Sequence, residues 1–416
     1  MPTPSSVPSA TPIPPVPCAA LGTLFTSGLA YPRPGDAGYD VSACLHSRAA
    51  GFSEWIKPAE REPDRWETAR CNDGTPFGFA LELSPSGKNQ DWIVFLKGGG
   101  FCDDTAVPCT TRSSKLVTTP EEKDGSVSAF QNNGIFNRSP EKNPLFFDAN
   151  YAFAEYCSSD LWSGTSTVRR PTLADPNGWF FSGKLNVRAM LEIIIERYGL
   201  EDTNPQTRIL FAGSSAGGAG VEANANTFAE LFPQVAQSGR LKLVNDGGFI
   251  IDFNDPPYFP GEAQESMYQV LLKANNFWSS THNPLCETAQ VSLGQQPGRC
   301  FLSSIDYPFV SQPLPAGLGL PYLVQYSSID DYAIHLHGIN DLNNPADAAA
   351  LQQWRAVALD SLKDIQWLFS GGQKPYHALL LNNDMIAYGP PGNTFIEVLT
   401  RFWHGGQPER VVFGNP

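Results

Sequence analysis

The pentapeptide GSSAG at residues 213–217 has the residue types of a nucleophilic serine turn. In a G-x-S-x-G pattern the glycines let the chain bend sharply from a strand into a helix, so the serine hydroxyl stands clear of the backbone. An apolar run at 208–212 precedes this turn, and an alanine-rich stretch that continues to residue 231 follows it. The alternative is a serine that only caps a helix. The flanking strand and helix favour Ser215 as the nucleophile.

A second glycine-rich segment, KGGGFC at residues 97–102, follows an apolar run that begins at Asp91. Such a loop could cradle a phosphate, but no G-K-[ST] sequence follows and two aspartates come next. Small residues also let backbone N–H groups approach a substrate oxygen. We therefore expect the N–H groups of Gly99, Gly100 and Ala216 to form an oxyanion hole.

A serine is a weak nucleophile at neutral pH and needs a base that a carboxylate orients. In α/β-hydrolases the chain order is serine, then Asp or Glu, then histidine. His377 follows the segment GGQKPY at the start of a predicted final strand, 376–381, and is the expected base. His404 lies in a helical C-terminal segment, where a histidine more often caps a helix end.

The acid has three candidates, each just beyond a predicted strand. Asp330 and Asp331 follow the apolar run at 322–326, and Asp246 follows the run at 241–245. The strand ends of a parallel sheet meet at one edge, so all three could reach the site. The alternative for Asp246 is that it braces the adjoining DGGF turn. The order of preference is Asp330, then Asp246, then Asp331.

These segments alternate between strand and helix patterns. Further strands are predicted from Asp91 and at 150–156, and helices at 185–197 and 348–369. Alternation of this kind predicts an α/β fold, with a mostly parallel sheet and helices on both faces. We expect a Pro/Ser/Thr-rich linker at 1–17, a single domain at 18–416, and a cap or insertion at about 250–321.

The formal net charge of −14 argues against nucleic acids and anionic membranes as partners. No apolar run is long enough for a transmembrane helix. We also expect the protein to be a monomer. The eight cysteines include no CxxC, and the histidines near them show no zinc-binding spacing, so a metal site is not expected. Dispersed cysteines in even number favour disulfides and secretion over buried thiols in a cytosolic protein.

Cys102 with Cys109 and Cys286 with Cys300 could each close a short loop as a disulfide. The other four cysteines allow three connectivities, which the sequence leaves open; they are Cys18, Cys44, Cys71 and Cys157.

Several of these segments together resemble the pectin acetylesterase family, which includes Notum-like α/β-hydrolases. The resemblance covers residues 71–404 and includes CNDGTPFGF, FLKGGGFC, YCSSDLWSG, GSSAGGAG, VNDGGF and HALLL. It implies an α/β-hydrolase fold and no cofactor. It also implies that Asp330, in the segment IDDYA, takes the catalytic acid position, although Tyr and Ala replace the family's Trp and Gln there.

The resemblance implies a secreted serine carboxylesterase that removes O-acetyl groups from a cell-wall polysaccharide such as pectin. The alternatives are a Notum-like esterase of long-acyl, lipid or small-molecule esters and a catalytically inactive binding module. Aromatic side chains near the expected mouth could hold a sugar face or an acyl chain, although they could equally be packing residues. These substrate-binding candidates are Phe101, Trp162, Tyr258 and Phe259, together with Asp246 at its strand end.

Overall fold

A computed structural model describes most of the chain beyond the N-terminal segment. The described residues are 53–105, 107–119, 133–251, 267–330, 333–334, 339, 341, 343–372 and 377–414. The linker predicted at 1–17 and the cysteines Cys18 and Cys44 lie outside them.

A nine-stranded sheet passes through the described chain, in the order β1-β2-β4-β3-β5-β6-β7-β8-β9. Its strands are β1 (Ser53–Ile56), β2 (Phe79–Glu82), β3 (Asp91–Leu96), β4 (Asn150–Ala154), β5 (Arg208–Ser214), β6 (Leu241–Asp246), β7 (Tyr322–Ser327), β8 (Trp367–Gly371) and β9 (Arg410–Phe413). Strand β2 runs antiparallel to both of its neighbours, and every pairing from β4 to β9 is parallel. The mostly parallel α/β-hydrolase sheet expected from the sequence is confirmed.

The helices cover both faces of this sheet. They are α1 (Pro58–Arg61), α2 (Pro63–Trp66), α3 (Gly183–Tyr198), α4 (Ala216–Leu231), α5 (Pro233–Gln237), α6 (Met267–Trp278), α7 (Pro284–Ser292), α8 (Ser303–Ser311), α9 (Pro345–Ser361) and α10 (Phe395–Trp403). Within the described residues, none of these helices combines the length and the apolar composition that crossing a bilayer requires.

Central strands are continuously apolar because the sheet is buried on both faces. In β3, Trp92, Val94 and Leu96 pack into the core beneath α3 and α4. The alternate residues Ile93 and Phe95 point to the second core, which α10 covers. The period of two therefore divides one apolar run between two cores.

Two predictions near the C-terminus are wrong. The helix expected at 348–369 ends at Ser361, and residues 367–371 form β8 between β7 and β9. The strand expected at 376–381 is absent from its described part, 377–381, which is a loop. Leu379 and Leu380 are buried in the core beneath the sheet but do not form a strand of it, which explains why this loop has an apolar sequence. An apolar period alone does not distinguish these cases.

Three disulfides occur in the described chain. Cys102–Cys109 and Cys286–Cys300 are the two local pairs predicted from spacing, and Cys71–Cys157 is the pairing that the sequence left open. The bond from Cys286 joins α7 to the short helix Pro297–Phe301, within the segment expected to form a cap. That a cap lies at about 250–321 stays a prediction.

A buried carboxyl on α4 ties the helix to β7 and α8. The Tyr322 hydroxyl donates to Glu222 Oε1 at 2.7 Å, and the Ser303 hydroxyl donates to Oε2. Burial raises the pKa of Glu222 to about 7. Burial and the nearby Glu222 carboxyl also raise the pKa of Asp306 well above its ordinary value. The carboxyls of Glu222 on α4 and Asp306 on α8 therefore keep their protons to a higher pH in the folded chain than in the unfolded chain.

Glu222→Gln should become more stable relative to the wild type as pH rises. The unfolded carboxyl ionises near its ordinary value of 4.5, whereas the folded one holds its proton to about 7. Its stabilising contribution is complete below pH 4.5 and is lost as pH rises through 7. We expect the difference in unfolding free energy to move by about 3 kcal/mol in favour of the variant, measured by urea denaturation between pH 4.5 and 8.

The control is Glu230→Gln, which changes an exposed carboxyl on the same helix. Its unfolding free energy should follow that of the wild type across the pH range. Parallel curves for wild type and Glu222→Gln would show that Glu222 does not hold its proton in the folded chain.

Candidate active site

Ser215 lies between β5 and α4 with φ +56° and ψ −126°. A positive φ is rare outside glycine and places the side chain at the tip of the turn. The Ser215 N–H donates to the Asp246 carbonyl at 2.8 Å, and the Gly218 N–H donates to the Ser215 carbonyl at 2.8 Å. The helix starts so close to β3 that a Cβ on Gly217 would lie 1.9 Å from the Leu96 carbonyl oxygen. This glycine is therefore required for the bend.

The imidazole of His377 lies beside the carboxylate of Asp330. His377 Nδ1 and Asp330 Oδ2 are 2.6 Å apart, and Asp330 is 1% exposed. Asp330 follows β7, and its Oδ1 accepts the Ala333 N–H at 2.9 Å, which fixes the carboxylate plane. An ionised carboxylate can only accept, so Nδ1 carries the proton and Nε2 of the neutral ring is the basic atom.

Ser215, Asp330 and His377 line one cavity, together with Gly100 and Ala216. These residues come from the loops after β3, β5, β7 and β8, so the structure brings together groups that are far apart in the sequence. A hydroxyl, an imidazole oriented by a carboxylate and a set of backbone amides are the parts needed for acyl transfer.

The glycine loop passes directly beside Ser215. A Cβ on Gly98 would lie 2.7 Å from the Ser215 Cβ. Ala216 is the first residue of α4, so its N–H has no acceptor within the helix and lies at the positive end of the helix dipole. Within the described residues, the N–H groups of Gly99, Gly100 and Ala216 donate to no protein acceptor. No acceptor among the described residues therefore competes with a substrate oxygen for these N–H groups.

The rest of the cavity wall is mainly apolar. It is formed by Phe101, Leu161, Ala219, Gly247, Gly248, Phe249, Ile250, Ile251, Leu271, Tyr326, Ala333 and Trp354. Of the aromatic candidates, Phe101 is in this wall, and Tyr258 and Phe259 lie outside the described residues. Sequence reasoning missed the contributions of α6 and α9. The apolar run directly after the DGG turn was the one available signal for Phe249–Ile251.

Trp162 is fully buried and does not line the cavity in the described structure. Its indole N–H donates to the Lys97 carbonyl at 3.0 Å, and its ring packs against Phe77 and Tyr156. The side chain therefore supports the glycine loop from below. The structure therefore favours a packing role for Trp162 over a substrate-binding role.

Asp246 is fully buried and braces the site without lining the cavity in the described structure. Its Oδ1 accepts the Leu379 N–H at 3.0 Å, and its Oδ2 accepts the Leu380 N–H at 2.9 Å and the Ser214 hydroxyl at 2.5 Å. Asp246 thus joins Ser214, the residue before Ser215, to the segment after His377. Asp330, and not Asp246, contacts the imidazole.

Close packing behind His377 completes this brace. Gly247 has φ +69°, and a Cβ there would lie 2.2 Å from the His377 carbonyl oxygen. His404 is exposed at the C-terminal end of α10, as expected for a helix cap. Asp331 lies outside the described residues. Among those described, no group of three or more His, Cys, Asp or Glu side chains could hold a metal ion.

Comparisons with known proteins identify the family and the relatives that this chain resembles. A family model described as Pectinacetylesterase matches residues 62–359. The palmitoleoyl-protein carboxylesterase NOTUM of Drosophila melanogaster is 32% identical over 65% of this chain and 38% of its own length. The mouse NOTUM is 30% identical over 72% of this chain and 56% of its own, and the zebrafish notum1a is 27% identical with the same coverage of both chains. The chain thus spans about half the length of the curated relatives it matches, or less.

A solved structure of the Drosophila Wnt deacylase Notum superposes on this chain with a TM-score of 0.70 at 25% identity. The match covers 83% of this chain and 93% of that one. The α/β-hydrolase fold is therefore shared along most of both chains.

Asp330→Asn should lower kcat for p-nitrophenyl butyrate by about 10³–10⁴-fold, while KM and the melting temperature change little. An amide beside Nδ1 favours the wrong imidazole tautomer and cannot stabilise the imidazolium. Steady-state kinetics and thermal unfolding measure the two effects. Asp360→Asn, at an exposed position on α9, is the control. A loss smaller than tenfold would show that Asp330 is not the acid.

Asp246→Asn should lower the unfolding free energy by about 1–3 kcal/mol, because an amide leaves one buried donor without an acceptor. Turnover should fall less than in Asp330→Asn, since the contact between imidazole and carboxylate is retained. Urea denaturation and kinetics of both variants, measured together, make the comparison. Full stability with abolished turnover in Asp246→Asn would reverse the two roles.

Proposed function

This chain belongs to the pectinacetylesterase family, and we propose that it is a carboxylic ester hydrolase that acts through an acyl-enzyme on Ser215. His377 Nε2 takes the Ser215 proton as the hydroxyl oxygen attacks the ester carbonyl. Asp330 holds the ring and stabilises the imidazolium. The N–H groups of Gly99, Gly100 and Ala216 bind the oxyanion of the tetrahedral intermediate.

Two steps complete the reaction. The imidazolium returns its proton to the leaving alcohol oxygen as the bond from carbonyl carbon to that oxygen breaks. A water molecule then attacks the acyl-enzyme, giving its proton to His377, and the carboxylic acid leaves as Ser215 is restored.

The apolar cavity wall beside Ser215 carries our proposal for the substrate. An alkyl chain of the acyl group would displace water from Phe101, Leu271 and Trp354, among other residues of the wall. Each buried methylene is worth about 0.8 kcal/mol, so a longer acyl chain would be hydrolysed with a higher kcat/KM. The curated relatives reported above, described as palmitoleoyl-protein carboxylesterases, support an acyl group longer than acetyl.

The description of the family model favours a second candidate, removal of O-acetyl groups from a polysaccharide such as pectin. The net charge of −14 opposes binding of a bare polyuronate, so a neutral acetylated polymer suits this surface better. The three disulfides among the described residues are typical of a protein that folds in an oxidising compartment, and they support secretion. The monomeric state stays a prediction.

The acyl-length series of p-nitrophenyl esters, from acetate to palmitate, tests the substrate proposal. We expect kcat/KM to rise at least tenfold from acetate to octanoate. Ala219→Leu, which adds a side chain to the cavity wall, should remove that rise and leave acetate hydrolysis within about threefold of wild type.

Ser215→Ala is the control for the chemistry. It should fold normally, hydrolyse none of the esters and resist labelling by a fluorophosphonate probe that labels the wild type. A sharp fall beyond butyrate would contradict the long-acyl proposal. Acetate release from acetylated pectin and acetylated xylan would then test the second candidate.

A further inference from the structure

We propose that Arg112 is a positioning residue that orients and polarises the Gly99–Gly100 peptide for binding the oxyanion. Arg112 Nη1 donates to the Gly99 carbonyl at 2.6 Å. The inference rests on the proposed function, because it assigns the partner group of an amide in the same oxyanion hole.

The geometry of a peptide unit connects the guanidinium to the cavity. The Gly99 carbonyl and the Gly100 N–H belong to one planar unit, and in a trans peptide they point in opposite directions. Gly100 lines the cavity. A guanidinium that holds the carbonyl on the outer side therefore turns the N–H toward the side where the substrate oxygen would lie.

The charge of Arg112 has a second effect on the same peptide. A cationic donor makes a stronger hydrogen bond than a neutral one. By drawing electron density toward the Gly99 oxygen, it leaves the Gly100 hydrogen more positive, as in other cooperative chains of hydrogen bonds. Donors preorganised in this way stabilise charge that develops in the transition state more than they stabilise the neutral ester.

Arg112 is itself held by a rigid network. Its Nε donates to the Ser159 hydroxyl oxygen at 3.0 Å, and its guanidinium lies 6.0 Å from the centre of the Tyr156 ring. The Ser159 hydroxyl donates in turn to Asn72 Oδ1 at 2.7 Å. The guanidinium thus has little freedom to leave the Gly99 carbonyl.

Two disulfides border this network. Cys102–Cys109 joins the end of the glycine loop to the segment that leads to Arg112. Cys71–Cys157 joins the residue before Asn72 to the segment that contains Ser159. One disulfide therefore ties the segment of Arg112 to the loop that the guanidinium orients, and the other ties the two segments that support the guanidinium to each other.

Arg112→Gln and Arg112→Ala separate the two effects. Glutamine can keep a neutral donor near the Gly99 carbonyl, whereas alanine removes both donor and charge. For p-nitrophenyl butyrate we expect kcat to fall about tenfold in Arg112→Gln and about 100-fold in Arg112→Ala, with KM within about twofold of wild type. Affinity for an alkyl boronic acid, which forms a tetrahedral anion on the serine, should fall in parallel with kcat.

Chemical rescue distinguishes positioning from a general loss of structure. Millimolar guanidinium chloride, well below denaturing concentrations, should raise the kcat of Arg112→Ala at least tenfold. The matched control is Arg138→Ala, which removes an arginine that also donates to backbone carbonyls, those of Phe147 and Ala149, and lies 3.7 Å over the Tyr151 ring. It should lower the melting temperature, leave boronate affinity unchanged and show no rescue.

Two results would overturn the inference. In the first, both Arg112 variants lose activity but bind the boronate as tightly as the wild type and are not rescued by guanidinium. In the second, their kcat values stay within twofold of the wild type. Both results require a wild type that the fluorophosphonate labels at Ser215. A wild type that is neither labelled nor active would instead contradict the proposed function, so the two failures are distinguishable.

Discussion

Ser215 is held in a conformation that costs an L-residue about 1–3 kcal/mol, with φ at +56°. The cost is met because the turn is fixed from both sides. Strand β5 pairs with β3 and β6, and the Ser215 N–H donates to the carbonyl at the end of β6. Helix α4 starts against the Leu96 carbonyl, a contact that Gly217 allows. The rest of the site is positioned relative to this bend.

A parallel sheet supplies the other groups at the same edge. Strands β3, β5, β6, β7 and β8 run in one direction, so their carboxyl ends lead into the glycine loop, Ser215, Asp246, Asp330 and the His377 loop in turn. Loops at that edge of an α/β sheet are where ligands bind. Five strand ends meeting at one edge explain how residues 97 to 377 can share one cavity.

The local parts of this arrangement could be predicted from the sequence, because each consists of a strand, a short turn and a few residues of defined chemistry. The turn at Ser215 and the glycine loop at 97–102 are of this kind. Strand β8 could not be separated from helix α9, since Leu362, Ile365, Leu368 and Phe369 also fit a helical period. The apolar cavity wall escaped prediction for a different reason, because Leu271 and Trp354 reach it from helices outside the motifs.

Asp246 and Asp330 looked equivalent in the sequence, and only their hydrogen-bond partners separate them. Asp246 accepts from two backbone N–H groups and a hydroxyl, all neutral, and burial raises its pKa to about 6 although these donors lower it. Asp330 instead faces an imidazole, which can take up the proton of Ser215. In the proposed mechanism, only Asp330 gains a full opposite charge in contact with it when the imidazole takes up the serine proton.

The charge on His377 also reaches Asp246, where it lowers the pKa of the buried carboxyl against the larger effect of burial. An imidazolium therefore favours the ionised form of Asp246, the form that can accept from all three of its donors. Since such coupling is reciprocal, ionised Asp246 also favours the imidazolium. The carboxylate that braces the loop and the one that contacts the ring therefore both favour the imidazolium form of His377.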